Sequence, residues 1–307
     1  MASCCVFAGQ GAQVPGMGKD FAEADAEVMA LFERANAALG FDLKKLCFEG
    51  PAEELTKSNV CQPAIFVTSY AAYLAFQKKR PTAFDCAAGL SLGEWGALCA
   101  AGVLDFESTL KVLEARGRFM QEACAATPSG MIAIVGATSE QLASLCEATG
   151  CTVANVNSAA QQVLSGSKEA VQAAAAKAKE LGIKRALPLS VAGAFHSSFM
   201  ASAREKLAPV LDAIAFGTPK FPVLSNVTGK PHASDPGAIK ALMLEQVTGT
   251  TNWAADVACA RELGCTAFVE FGPGKVLSGL IKKIDASLTT ANVSDLASLE
   301  AAVAALG

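Results

Sequence analysis

The sequence predicts an α/β protein in which a small ferredoxin-like unit interrupts a larger α/β body. Two observations predict this class. Short apolar runs typical of strands alternate with segments of helical periodicity along the 307 residues. Between residues 131 and 190, the predicted elements follow the order β-α-β-β-α-β, which is the order of the split βαβ unit.

The first part of the body contains two glycine-rich turns, and each turn follows a short strand. The predicted elements are a strand at 6–8, a turn at 9–13, helices over about 21–38 and 63–78, a strand at 84–88, a turn at 89–93, and helices over about 94–101 and 106–124. Because strands and helices alternate here, we expect a mainly parallel sheet covered by helices.

The rhythm of the chain changes after the turn-forming run Thr127-Pro128-Ser129-Gly130. The elements predicted beyond it are a strand at 131–135, a helix at 138–148, strands at 152–156 and 161–165, a helix at 167–181 and a strand at 184–190. We therefore assign residues 128–195 to the ferredoxin-like insertion, and residues 1–127 and 196–307 to the body.

After the insertion the chain returns to the body. The predicted elements are a helix at 197–213, a strand at 222–225, helices near 236–248 and 253–263, a strand at 267–270 and a last helix after Gly272-Pro273-Gly274. Ser91 precedes the insertion and His196 lies where the chain re-enters the body. A site between these two residues would therefore lie in the cleft between the subdomains.

The composition excludes several classes of function. A net charge of −4 argues against nonspecific nucleic-acid binding, and no apolar stretch is long enough for a membrane helix. Cys86, Cys99 and Cys259 lie in apolar surroundings and the 11 cysteines form no C-x-x-C pair, which favours a reducing compartment. Two distant histidines make a poor metal site. The first ten residues contain no signal or transit pattern, so we expect a mature intracellular enzyme.

The run Gly89-Leu90-Ser91-Leu92-Gly93 is the most specific local motif. A Gly-x-Ser-x-Gly turn between a strand and a helix is typical of a nucleophile elbow, which exposes the serine hydroxyl at a helix N-terminus. There the free backbone N–H groups favour a developing oxyanion. The alternative is a serine that only caps the helix, a position that serine favours without any catalysis.

A serine nucleophile needs a base, and the chain has only His196 and His232. His196 lies at a loop-to-helix junction among small residues, where its alternative role is a helix cap. His232 follows Pro231 and is expected in a surface turn. We assign the base to His196 and a structural role to His232.

Neither glycine-rich turn outside the serine motif fits a phosphate site. The dinucleotide fingerprint would require a glycine at position 14, which is Val14. The run at 272–276 lacks the spacing and the Ser/Thr of a P-loop. A backbone N–H in the turn at 9–11 can instead serve as an oxyanion donor in acyl transfer.

Stretches spread over almost the whole chain are similar, and in the same order, to those of one enzyme family. They are FAGQGAQ at 7–13, CQPAIF at 61–66, GLSLGEW at 89–95, RGRFMQEA at 116–123, GMIAIVG at 130–136, NVNSAAQQVLSG at 155–166, AFHSSFM at 194–200, SNVTG at 225–229, QVT at 246–248 and EFGPGKVLSGL at 270–280. By these stretches the chain resembles the malonyl-CoA:acyl carrier protein transacylases of type II fatty acid synthesis. The resemblance implies an α/β-hydrolase-like body with a ferredoxin-like insertion.

The resemblance also implies roles for individual residues. Ser91 would be the nucleophile and His196 its general base. The backbone carbonyl of Gln246 would hold the histidine Nδ1–H in place of a carboxylate. The backbone N–H groups of Gln10 and Leu92 would form the oxyanion hole.

Two further residues would set the choice of substrate. Arg116 would bind the free malonyl carboxylate, a task that suits a guanidinium fork. From the residues alone, Arg116 cannot be distinguished from Arg118. Phe195 would leave little space for an α-methyl branch. Leu90 stands where the family commonly has a histidine, so any help from that histidine at the carboxylate is missing.

The implied activity is transfer of the malonyl group from malonyl-CoA to the phosphopantetheine thiol of acyl carrier protein, by a ping-pong mechanism through a malonyl-serine. We expect no bound cofactor or metal, a transient complex with the carrier protein, no nucleic-acid or membrane partner, and a monomer. The stretch at 187–196 is similar to plastid members, so the expected location is a plastid stroma after removal of a transit peptide, or a bacterial cytoplasm.

Two rival functions use the same residues differently. A serine thioesterase or hydrolase of acyl-CoA would share the elbow and the histidine, but would act in water and usually adds an acid. A non-catalytic interaction module would form no acyl intermediate. For the transferase, whose partners are polyanions, we expect a basic rim. The candidate residues are Lys44, Lys45, Lys184, Arg185, Lys282 and Lys283.

Overall fold

A computed structural model describes residues 2–306 and contains two four-stranded sheets. The strands are β1 (Ser3–Phe7), β2 (Cys86–Gly89), β3 (Ser129–Val135), β4 (Thr152–Ser158), β5 (Gln161–Ser167), β6 (Arg185–Pro188), β7 (Ala267–Phe271) and β8 (Thr289–Val293). The helices are α1 (Lys19–Ala24), α2 (Ala26–Leu39), α3 (Leu43–Glu49), α4 (Ala52–Thr56), α5 (Ser58–Lys79), α6 (Leu92–Ala100), α7 (Phe106–Ala126), α8 (Ser139–Thr149), α9 (Lys168–Glu180), α10 (Ala201–Asp212), α11 (Pro236–Thr248), α12 (Trp253–Glu262), α13 (Val276–Ile284) and α14 (Leu296–Ala305). None of these helices is long and apolar enough to cross a bilayer.

The first sheet is parallel and has the strand order β2-β1-β7-β8. Side chains alternate between the two faces of β1: Cys5 and Phe7 belong to one buried cluster, and Cys4 and Val6 to another. Helices cover both faces, which explains why this strand is apolar throughout. The carboxyl ends of β1 and β2 lie side by side, so the two glycine-rich turns that follow them are neighbours.

The second sheet is antiparallel and has the order β4-β5-β3-β6. Helices α8 and α9 bury residues against it in a separate small core. This is the arrangement of the split βαβ unit. The predicted fold class, a mainly parallel α/β body with an inserted ferredoxin-like unit, is confirmed.

The segment after α11 connects the insertion to the body. The backbone of Thr251 donates to the Ala154 carbonyl and accepts from the Val156 N–H, both at 2.9 Å. Strand β4 is thereby fixed beside the helix that carries Gln246.

Several predicted elements differ in the structure. The helix predicted at 21–38 is two helices, because Asp25 is extended and its side chain caps α2. The strand predicted at 222–225 forms only isolated bridges with Ala87 and Pro231. Pro222 offers no N–H to the sheet, and the chain turns back after Leu224. Four elements were not predicted, namely α3, α4, β8 and α14.

Candidate active site

Ser91 lies in the sharp turn between β2 and α6, with φ 56° and ψ −104°. It occupies the position before the helix, but its side chain makes no capping hydrogen bond to α6. The interpretation of Ser91 as a helix cap is therefore wrong. Its hydroxyl instead contacts His196 and Arg116.

The glycines around this turn are required by close approach of backbone segments. A Cβ on Gly89 would lie 2.1 Å from the Gly93 carbonyl carbon, and a Cβ on Gly93 would lie 2.2 Å from the Phe7 oxygen. A Cβ on Gly9 would lie 2.8 Å from the Leu90 oxygen. The turn at 89–93 is thus packed against itself, against the end of β1 and against the turn at 9–13. None of these three approaches leaves space for a side chain.

His196 is the second residue held in an unusual conformation. Ser91 and His196, with φ 55°, are the two non-glycine residues between 2 and 306 that have positive φ. Such strain clusters at functional sites, where the surrounding structure must maintain it. The 3-10 turn that follows is capped by Ser197, so His196 is not the helix cap.

The imidazole of His196 bridges the hydroxyl of Ser91 and the backbone of α11. Its Nε2 lies 2.8 Å from Ser91 Oγ, and its Nδ1 lies 2.8 Å from the carbonyl oxygen of Gln246. Because that carbonyl can only accept, the proton belongs on Nδ1 and leaves Nε2 free to accept from the serine. Burial, followed by the positive charge of Arg116, lowers the pKa of His196 to about 4. The ring is therefore neutral at physiological pH.

Arg116 lies on α7 and is 1% exposed. Its Nη2 donates to Ser91 Oγ and to Gln246 Oε1, both at 3.0 Å. Its Nη1 donates to Gln62 Oε1 at 2.7 Å. Burial lowers the pKa of Arg116 to about 10, still far above physiological pH. Arg118, by contrast, is half exposed and pairs with glutamates on its own helix. The structure thus distinguishes the two arginines, which the residues alone could not.

Gln10 and Leu92 lie in the two glycine-rich turns. Between residues 2 and 306, neither backbone N–H has a protein acceptor within hydrogen-bond distance. Leu92 is the first residue of α6, where unpaired N–H groups and the helix dipole favour negative charge. Gln10 borders the same cavity as Ser91. These two N–H groups therefore have no hydrogen-bond partner among the described residues, and they belong to the two turns that meet at Ser91.

A cavity of about 250 Å³ opens between the body and the insertion. Its lining residues are Gly9, Gln10, Gly11, Gln13, Thr56, Leu90, Ser91, Met120, Met131, Asn155, Asn157, Leu189, Ser190, Val191, Ala192, Phe195 and His196. The cavity contains both the predicted nucleophile and the predicted base. Leu90, at the position of the family's histidine, presents an apolar side chain to it. Phe195 is buried at its wall.

A buried polar layer supports the elbow. Asn226 Oδ1 accepts the Ser91 N–H at 2.7 Å, and Gln246 Nε2 donates to the Ser91 carbonyl at 3.0 Å. Glu94 Oε1 lies 2.6 Å from His232 Nε2, and the side chains of both residues are buried. The prediction of a surface turn for His232 is therefore wrong. The imidazole ring of His232 lies in the interior, where it contacts the carboxylate of Glu94.

Four buried polar side chains around the site were not predicted from the sequence, namely those of Gln62, Glu94, Asn226 and Gln246. Each lies in one of the family-like stretches, so the resemblance contained the signal. Their local surroundings did not, because amide and carboxylate side chains are usually exposed. Between residues 2 and 306, no three histidine, cysteine or acidic side chains are grouped as a metal site requires.

Comparison with known proteins gives consistent results. The family model described as acyl transferase domain matches residues 4–299. The chain is 40% identical over 301 residues to the malonyl CoA-acyl carrier protein transacylase of Haemophilus influenzae, covering 96% of each chain. It is 41% identical over 302 residues to that of Escherichia coli K12, covering 97% of each.

Solved structures agree with these relatives. The malonyl CoA-acyl carrier protein transacylase of Clostridium perfringens superposes with a TM-score of 0.95 at 39% identity, covering 100% of this chain and 97% of that one. A malonyl-transacylase in complex with its type II PKS acyl-carrier protein also gives 0.95 at 39% identity, covering 99% and 100%.

Proposed function

Because the chain belongs to the acyl transferase family, and within it to the malonyl-CoA:acyl carrier protein transacylases, we propose that it transfers malonyl groups from malonyl-CoA to acyl carrier protein in fatty acid synthesis. One observation supports the site most strongly. Ser91 Oγ lies within 3.0 Å of both a neutral imidazole and a buried guanidinium. The first can accept its proton, and the second can bind an acid group on the substrate.

The first half-reaction loads the enzyme. Neutral His196 accepts the Ser91 proton through Nε2 while the serine oxygen attacks the thioester carbonyl. The new C–O bond forms, and the resulting oxyanion accepts hydrogen bonds from the backbone N–H groups of Gln10 and Leu92. The C–S bond then breaks, and the imidazolium returns its proton to the departing CoA thiolate. The product is a malonyl-Ser91 ester.

Arg116 selects the acyl group. Gln62 and Gln246 accept hydrogen bonds from its two terminal nitrogens and so fix the plane of the guanidinium. Its Nε has no acceptor among the described residues, so donor capacity remains for a carboxylate. A malonyl carboxylate would gain a charge-assisted bond that an acetyl group cannot form. Phe195 at the cavity wall would disfavour a branched acyl chain.

The second half-reaction unloads the enzyme. The phosphopantetheine thiol of the carrier protein replaces CoA in the cavity, and His196 accepts its proton as the sulfur attacks the ester carbonyl. The C–O bond to Ser91 then breaks, and the imidazolium returns the proton to the serine oxygen, so that malonyl-carrier protein is released and the enzyme is regenerated. The carrier protein is therefore bound only during this half-reaction, and its phosphopantetheine group is the part that enters the cavity. Lys184 and Arg185 are candidates for docking it, since they precede the segment 189–192 that lines the cavity.

The proposal also covers the subdomain boundaries, the oligomeric state and the location of the protein. We place the subdomain boundaries at 1–127 and 196–307 for the body and at 128–195 for the insertion. The protein is expected to act as a monomer, without a bound cofactor, in a bacterial cytoplasm or a plastid stroma.

Transfer and hydrolysis are separated by one experiment. The enzyme is incubated with malonyl-CoA and either the holo or the apo form of a carrier protein, and malonyl-carrier protein and free malonate are both quantified. We expect malonyl on the holo form only, with little malonate. Malonate production that is independent of the carrier protein would instead support an acyl-CoA hydrolase. The backbone carbonyl at His196 Nδ1, where hydrolases usually place an acid, favours the transferase.

A further inference from the structure

A buried carboxylate lies at the centre of the polar layer under the elbow. Glu94 is 0% exposed, and its two oxygens receive three hydrogen bonds. Oε1 lies 2.6 Å from His232 Nε2. Oε2 accepts from Gln246 Nε2 at 2.6 Å and from the Asn226 N–H at 3.3 Å. When the His232 proton is on Nε2, all three partners are donors and Glu94 accepts every one of these bonds, as a carboxylate does.

Gln246 connects this carboxylate to all three catalytic groups. Its Nε2 also donates to the Ser91 carbonyl, and its Oε1 accepts from Arg116 Nη2. Its backbone carbonyl accepts from His196 Nδ1. One side chain therefore joins Glu94 to the nucleophile and the guanidinium, while the same residue's backbone holds the base.

Glu94 is one of three groups that fix which way the Gln246 amide points. Neither the Glu94 carboxylate nor the Ser91 carbonyl can donate, so both require the NH₂ end of the amide, and the oxygen end then accepts from Arg116. In Glu94→Gln, the new side chain can turn its own NH₂ toward the Gln246 NH₂. Two donors would then face each other, and the Gln246 amide would hold Arg116 less firmly.

The neighbouring polar groups are consistent with Glu94 as a charged acceptor. His232 Nδ1 has no partner among the described residues, so a proton on Nε2, facing Glu94, leaves no buried N–H unpaired. Burial, and then the charge of Glu94, raise the pKa of the neighbouring Asp256 well above its usual range. The charge of Glu94 also opposes the lowering of the Arg116 pKa by burial.

We propose that Glu94 is a positioning residue for acyl selectivity, which orients the Gln246 amide and thereby holds the Arg116 guanidinium ready for the malonyl carboxylate. This inference rests on the proposed function. Arg116 binds the substrate in that function, and the inference adds Glu94, which does not contact the substrate. It also gives the buried Glu94–His232 pair a role, since the imidazole occupies the oxygen of Glu94 that Gln246 does not use.

The test compares Glu94→Gln with the parent and with Asp256→Asn. The control replaces a second buried carboxyl, which does not contact Gln246, by an amide that can still accept from Asn226. For each protein, the rate constant of Ser91 acylation is measured with malonyl-CoA and with nitrophenyl acetate, an uncharged ester that does not need Arg116. We expect Glu94→Gln to lower malonyl loading by about tenfold to a hundredfold relative to ester loading, the range expected for a lost bond to a charged group. Asp256→Asn should leave that ratio unchanged.

Equal losses with both substrates, or no loss, would overturn the inference. If Glu94→Gln does not fold, Gln246→Met serves instead, because it removes the amide and keeps the backbone carbonyl for His196. The same selective loss is expected, and an unchanged ratio would again overturn the inference. A parent enzyme that forms no malonyl adduct would refute the proposed function itself, so the two failures are distinguishable.

Discussion

Arg116 Nη2 and Ser91 Oγ are 3.0 Å apart, so the residue proposed to bind the malonyl carboxylate also donates a hydrogen bond to the proposed nucleophile. The acyl ester and the carboxylate of a malonyl group are separated by one methylene, and this short contact matches that separation. The same contact places a positive charge near the base. Selectivity and basicity are therefore linked through Arg116.

The first prediction concerns acyl selectivity. Arg116→Ala should lower the rate of malonyl loading by about a hundredfold or more, because a charge-assisted bond to the carboxylate is lost. Acetyl loading should fall much less. The acylation rates with malonyl-CoA and acetyl-CoA give the ratio. Arg118→Ala is the matched control on the same helix, and an unchanged ratio in Arg116→Ala would exclude Arg116 as the carboxylate ligand.

The second prediction concerns pH. His196 acts as a base only when neutral, so the rate of acylation by an uncharged ester should rise as pH increases through about 4 and be level above it. Arg116→Gln removes a positive charge that disfavours the imidazolium. The pKa of His196 should then rise, and the acid limb of the profile should move toward higher pH. An acid limb that stays in place would show that the charge of Arg116 does not act on the base.

The third prediction concerns the glycines of the elbow. Gly93→Ala should destabilise the fold by about 3 kcal/mol or more, because its Cβ would overlap the backbone oxygen of Phe7. Gly279→Ala, in helix α13, meets nothing within 4 Å and should be neutral or stabilise by about 0.5–1 kcal/mol. Thermal and urea unfolding measure both. Equal stability of the two variants would contradict the close approach.

The fourth prediction concerns the carrier protein. Reversing the charges of Lys184 and Arg185 should raise the KM for acyl carrier protein by about tenfold, with a weaker dependence on salt. Neither residue forms an ion pair with the part of the chain that the structure describes, whereas Lys44 pairs with Glu33. The KM for free pantetheine, which is uncharged, is the control and should not change. An unaltered KM for carrier protein would remove this pair from the docking surface.

The sequence pointed to Ser91 and His196, which the structure brings into contact, for different reasons. Ser91 stands in a local motif whose strand and helix are visible in the surrounding residues. His196 could be assigned as the candidate base because the chain contains only one other histidine. The strained backbone of Ser91 belongs to the predicted elbow, whereas the positive φ of His196 was not predictable, since it has no signal in the local sequence.

The supporting residues could not be predicted because their contacts are long-range. Glu94 and His232 are 138 positions apart, and each resembles an ordinary surface residue in its local sequence. Arg116 needed the family resemblance, since its neighbour Arg118 has similar surroundings. Burial of the guanidinium by α5, α11 and the elbow distinguishes the two, and that burial is a property of the assembled fold.

The four elements that were not predicted lack a clear periodic pattern of apolar residues. Helices α3 and α4 contain seven and five residues, which is too short to show a helical period. Strand β8 buries only Val293, so no alternation of apolar residues marks it. Helix α14 buries Leu299 and Ala302, and alanine gives little contrast between its two faces.

The most direct test of the central claim is the intact mass of the enzyme after incubation with malonyl-CoA, with Ser91→Ala beside it. We expect the mass of one malonyl group on the parent, located on the peptide that contains Ser91, with equimolar release of CoA. The variant should remain unmodified. A malonyl adduct on Ser91→Ala, or a parent that releases CoA continuously without carrying an adduct, would show that Ser91 is not the residue that is acylated.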